Sequence, residues 1–128
     1  MAEPERQQPP LSEEEQEQAR AAIDESAAAA PGMLFAVVNG NGTLARGSGA
    51  VSATKLPATG EYQVLFNRTI NRGAFLSTIG LSADAGQSPP GEIIVNLRVG
   101  TTNGVFVQTS DSTGKDADRS FHLAVVLP

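Results

Sequence analysis

Glu92-Ile93-Ile94-Val95-Asn96-Leu97-Arg98-Val99, followed by Thr101-Thr102-Asn103-Gly104, is the stretch that decides the fold class. Ile93, Val95, Leu97 and Val99 occupy every second position and so share one face of an extended strand. Thr101-Thr102-Asn103-Gly104 then reads as the turn that ends it. Runs of the same kind, broken by Gly, Asn-Gly or Pro-Gly, recur from Met33 to Pro128. They predict seven strands, at about 33–38, 43–54, 61–67, 74–82, 92–99, 105–110 and 120–127. Short strands joined by turns, with no βαβ pattern, point to an all-β antiparallel β-sandwich with jelly-roll-like connections.

The turns sharpen this outline. Asn39-Gly40-Asn41-Gly42 marks a hairpin, and Pro57-Ala58-Thr59-Gly60 turns the second strand into the third. Gly47-Ser48-Gly49 interrupts the second strand where a bulge or a close backbone approach is expected. The core face is read as Tyr62, Val64 and Phe66; Phe75, Ile79 and Leu81; Ile93, Val95, Leu97 and Val99; Val105 and Val107; and Phe121, Leu123, Val125 and Leu127. Yet Leu34, Leu65, Leu76, Ile94, Phe106 and Val126 fall on the opposite faces. A lone antiparallel sandwich carries polar residues there. Either these residues form the ordinary apolar part of a monomer's surface, with a bulge switching some of them inward, or they meet other copies. The recurrence across the domain favours the oligomer interface.

Residues 1–32 form a separate tail. Eight acids stand against Arg6 and Arg20 in residues 1–30, a net −6, while six acids against seven bases give the rest +1. Residues 1–10, rich in Pro, Gln and Glu, are expected to be disordered. Ser12 and Glu15 form a capping box for a helix over 12–30, which Pro31-Gly32 ends. Its apolar stripe is made of small residues, with Leu11 and Ile23 as the large anchors. The segment reads either as a solvated spacer or as a docking element using Leu11, Ala19, Ile23 and Ala27.

Composition removes several functions. With no cysteine, neither a disulfide framework nor a thiolate metal site is possible. The acidic tail and scattered arginines argue against nucleic acid. No run is long enough to span a membrane, and no leader is visible, so the expected setting is cytoplasmic, within a particle at most. Asn41-Gly42-Thr43 and Asn67-Arg68-Thr69 are read as chance sequons.

Chemistry-bearing patterns are sparse. His122, the single histidine, lies on the strand face opposite Phe121 and Leu123, and no nucleophile elbow accompanies it. Asp111, Asp116 and Asp118 gather in one loop but lack the spacing of a calcium motif, and Lys115 and Arg119 compete for them. No metal, cofactor or catalytic residue is therefore assigned, and the chain is expected not to be an enzyme. The alternative function is a glycan-binding, lectin-like module using Asn71, Arg72, Gln87, Asp111 and Asp116.

Three strings carry a resemblance: Phe35-Ala36-Val37-Val38-Asn39 with Gly42-Thr43-Leu44-Ala45-Arg46-Gly47-Ser48-Gly49; Gly60-Glu61-Tyr62-Gln63-Val64-Leu65-Phe66-Asn67; and Asp118-Arg119-Ser120-Phe121-His122-Leu123-Ala124-Val125. With them, residues 33–128 resemble a small, largely uncharacterised β domain from the C-terminal ends of bacterial, notably actinobacterial, proteins. That domain is broadly similar to the trimeric heads of collagen-like and phage tail-fibre proteins. The resemblance implies a self-associating fold, with a trimer favoured, and no site to transfer. Its relatives often carry cysteines at the positions of Gly73 and the final strand, and their absence here suits an intracellular protein. Together these features predict a structural module that self-associates through its β faces. Its acidic helix would dock it to a larger assembly such as a phage-like or injection particle or a shell.

Overall fold

The computed structural model describes residues 8–24 and 32–128. Among the described residues one helix, α1 (Glu13–Ala22), precedes eight strands: β1 (Gly32–Val38), β2 (Leu44–Ser48), β3 (Ala50–Lys55), β4 (Glu61–Phe66), β5 (Ala74–Ile79), β6 (Glu92–Leu97), β7 (Gly104–Ser110) and β8 (Phe121–Leu127). They form two four-stranded sheets of order β2-β1-β8-β5 and β3-β4-β7-β6, with every strand pairing antiparallel. The inner faces enclose one core, with Tyr62, Val64, Phe66, Val105 and Val107 facing Leu34, Ala36, Val38, Phe121 and Leu123.

Eight strands replace the seven expected because the run 43–54 is two strands in different sheets. The switch sits at the predicted glycines. A Cβ on Gly47 would stand 2.7 Å from the Phe35 carbonyl oxygen, and Gly49 has φ +76° with Leu34 Cδ2 in the space of its missing side chain. Backbone packed this closely lets the chain leave one sheet and join the other within one residue. The Asn39–Gly42 hairpin forms as expected, closed by Asn39 N–H to the Thr43 carbonyl (2.9 Å).

Two further differences concern facing. Leu34 points into the core, and Met33 and Phe35 point out, because β1 alternates from Leu34 inward. β6 ends at Leu97, where the turn begins, so Val99 is exposed instead of core. In the tail, the Ser12–Glu15 capping box is present in both directions, at 3.1 and 2.9 Å. The helix stops at Ala22, with Ile23 already extended at ψ 126°. The part of the expected helix over 25–30 and the disorder expected for 1–7 lie outside the described residues. Gln8 and Pro9, expected in that disordered stretch, are half-buried against the β domain.

Candidate functional site

The outer faces of the two sheets differ, and the difference defines the candidate site. On the first sheet the register lines up three rows across the strands. Met33, Val126 and Ala74 form one, and Phe35, Ala124 and Leu76 the next. Arg46, Val37, His122 and Thr78 form the third. Met33 (61 %), Phe35 (40 %), Leu76 (60 %) and Val126 (37 %) remain open to solvent on this face. Phe35, Leu76 and Ala124 line a shallow depression of about 500 Å³ with Val37, Arg46 and His122 at one end. Arg46 Nη1 donates to the Ser82 carbonyl (2.7 Å) and His122 Nε2 to that of Leu81 (3.0 Å), so the segment after β5 closes that end. The histidine is thus tied to backbone at the rim of an apolar face.

On the second sheet part of the equivalent face, over β4 and β7, is covered by the chain itself, while Ile94 on β6 stays exposed. Gln63, Leu65 and Phe106 point outward there, yet Leu65 (3 %) and Phe106 (2 %) are buried. Arg98 is wholly buried, with its guanidinium 5.9 Å from the centre of the Phe106 ring. It donates from Nε to Gln63 Oε1 (2.6 Å) and from Nη1 to Gln8 Oε1 (3.2 Å) and the Pro9 carbonyl. Glu15 Oε2 stands 3.9 Å from Nη2. Burial lowers the Arg98 pKa from its ordinary value, and Glu15 and Glu61 oppose that by stabilising the cation. Asn103, also buried, donates from Nδ2 to the carbonyls of Ala19 (2.7 Å) and Phe66 (2.9 Å).

The six residues expected at an oligomer interface therefore divide. Leu34 lies in the core, and Leu65 and Phe106 lie beneath the N-terminal segment and Arg98. Leu76 and Val126 are brought together on the open face, and Ile94 (62 %) is exposed on the other sheet. Of the four tail positions, Ala19 is buried, and Leu11 and Ile23 are half-buried on their own β domain, with Leu11 Cδ1 against Gly100. Ala27 lies outside the described residues. Sequence reasoning misses Met33, Phe35 and Arg46 at this face, since Met33-Leu34-Phe35 is uniformly apolar and gives no alternation to read. It misses Arg98 and Gln63 because polar residues in strands are read as solvent-facing, and Asn103 because it is read as a turn residue.

The five glycan candidates are not brought together. Asn71 and Arg72 follow β4 at the end where Ile70 N–H meets the Thr102 carbonyl, whereas Asp111 and Asp116 lie past β7 at the opposite end. Asp111 accepts from the Thr113 hydroxyl (2.6 Å), Thr113 N–H (2.9 Å) and Lys115 N–H (3.1 Å), which hold its carboxyl below the usual range. Asp118 accepts from Gly60 N–H (2.7 Å) and faces Lys55 Nζ at 3.5 Å. Among the described residues no group of three or more His, Asp or Glu side chains is placed to hold a metal ion, and no helix is long and apolar enough to cross a membrane. Comparison with protein-family models, with curated proteins and with solved structures finds no match.

Proposed function

We propose that this chain is a non-enzymatic, jelly-roll-like structural module whose copies associate through the outer face of the first sheet. The observation that carries this is the continuous apolar surface of Met33, Phe35, Leu76 and Val126 on one sheet. At roughly 150–250 Å² for a large apolar side chain, their exposures leave on the order of 400 Å² of apolar surface in water. A standard interface takes about 800 Å² from each partner, a little over half of it non-polar, so the patch has the size of one interface core. Burying it on two copies is a gross gain on the order of 20 kcal/mol.

The occupant is a second copy because the same apolar face on two copies can meet about a two-fold axis, as twisted sheets stack aligned. The three rows hold no acidic residue and only Arg46 and His122 as basic groups. A trimer is the competing closure. Docking to a larger assembly falls to the outward acidic side of α1, where Glu13, Glu14 and Glu17 are exposed.

Light scattering coupled to size exclusion tests the reading. The wild-type chain should elute as an oligomer at micromolar concentration. Leu76→Glu should elute as a monomer while keeping the wild-type unfolding midpoint measured at high dilution, because the side chain touches little within its own copy. A monomeric wild type would overturn the proposal.

A further inference from the structure

The three rows of the open face are not equivalent along the strands. Between the first two rows the outward residues change size: Val126 gives way to Ala124 on β8, and Ala74 to Leu76 on β5, while β1 carries Met33 and then Phe35. The exposed apolar surface of Met33, Phe35, Leu76 and Val126 belongs wholly to these two rows. Its midline is the level of Leu34, Val125 and Phe75, which are register partners and turn inward to the core. The third row holds both basic groups of the three rows, Arg46 and His122, so charge stands at one end of the patch only.

A two-fold axis between stacked copies has two directions open to it. Along the strands, it lays each row on the same row of the partner, with β1 over β8. The partner's His122 then covers Val37, beside Arg46, and basic groups of the two copies crowd into one desolvated row, which repels. Met33 also meets the partner's Val126, large on large. Across the strands at the midline, the axis reverses strand direction and lays the first row on the partner's second. Val126 then faces the partner's Ala124, and Leu76 the partner's Ala74, so large residues sit over small ones as in the interdigitated faces of a sandwich. Met33 meets the partner's Phe35, a favourable sulfur–aromatic pairing. The third rows of the two copies lie six residues apart in this arrangement, about 20 Å at roughly 3.3 Å per residue.

We infer that copies pair about a two-fold axis running across the strands at the level of Leu34, Val125 and Phe75, with β8 stacked antiparallel on the partner's β8. The inference rests on the proposed self-association and adds its geometry. Ala124, half-buried between Phe35 and Leu76 in its row, becomes the socket for the partner's Val126.

Charge complementation between full-length copies tests the axis. A mass-tagged Ala124→Lys chain and an untagged Val126→Asp chain should each elute as monomers at micromolar concentration. Mixed in equal amounts, they should form a heterodimer at least about tenfold tighter than either homodimer, since the lysine of one faces the aspartate of the other. Phe35→Asp is the control, because Ala124 meets the partner's Phe35 only when the axis runs along the strands. Its mixture with Ala124→Lys should stay monomeric. Unfolding midpoints confirm that each variant is folded. Ala74→Lys with Leu76→Glu, at exposed positions of β5, repeats the test if a β8 variant is not. Complementation by Phe35→Asp, or an oligomeric wild type with no complementation by Val126→Asp, overturns the axis and leaves self-association standing. A monomeric wild type overturns both.

Discussion

Tyr62, the single tyrosine, shows how much one side chain organises at one end of the core. Its hydroxyl donates to the Gly40 carbonyl (2.8 Å) and accepts from Arg119 N–H (3.2 Å), joining the β1–β2 turn to the segment before β8. Its ring meets Phe121 edge-on at 5.1 Å. Burial pushes its pKa up, Asp118 pushes the same way, and hydrogen bonds to Thr109 and Arg119 oppose them. Above pH about 10 the unfolded tyrosine loses its proton while the folded one keeps it, so stability falls as pH rises through that region. Thermal unfolding should therefore show a steeper loss of Tm above pH about 10 in the wild type than in Tyr62→Phe. At neutral pH, urea unfolding should find Tyr62→Phe less stable by about 1–3 kcal/mol, the cost of leaving the Gly40 carbonyl and Arg119 N–H without their partner.

At the scale of elements, Arg98 holds the residues before α1 through Gln8 and Pro9 and faces Glu15 of the helix. Arg98→Met keeps a stem over Phe106 but removes the donors that hold Pro9 and Gln8. Hydrogen exchange should then find the amides of α1 at least about tenfold less protected while those of β4 and β7 stay as in the wild type, because local opening is uncoupled from the core. Equal loss in helix and strands would refute this division. The strands themselves are legible in the sequence: alternation alone assigns Tyr62, Val95, Val107 and Leu123 of β4, β6, β7 and β8 to the inner face. The capping box is legible too, since it needs only Ser12 and Glu15 at the right spacing. Where the helix docks is not, because its anchors are Gln8, Arg98 and Asn103. A hydrophobic stripe is blind to a contact made of amides and a guanidinium. The switch at Gly49 is half legible: the glycines announce close backbone approach but cannot say that the chain changes sheets there.

For the molecule as a whole, the two outer faces meet different fates, one covered in part by the chain's own residues and one open. The sequence carries the excess of apolar residues but not its distribution, because Leu65 and Phe106 look identical to Leu76 until the tail is placed. If the open face pairs copies, folding is coupled to association and Tm depends on protein concentration. Scanning calorimetry should find Tm rising by about 2–5 °C per tenfold increase in wild-type concentration, and unchanged in Leu76→Glu.

One pairing bears on time as well as on space. β1 and β8 run side by side through all seven residues of each, from Gly32 opposite Leu127 to Val38 opposite Phe121, joining residues nearly the whole domain apart. Until β8 arrives, β1 has only the short hairpin with β2, and β5 has no neighbour in its sheet at all. Contacts of such separation bear the loop-closure cost before they return any burial, which places folding in the slow, millisecond-to-second class of β proteins. During that interval Met33, Phe35 and Leu76 stand beside unpaired backbone, so the surface that serves assembly in the finished molecule is its aggregation hazard during folding.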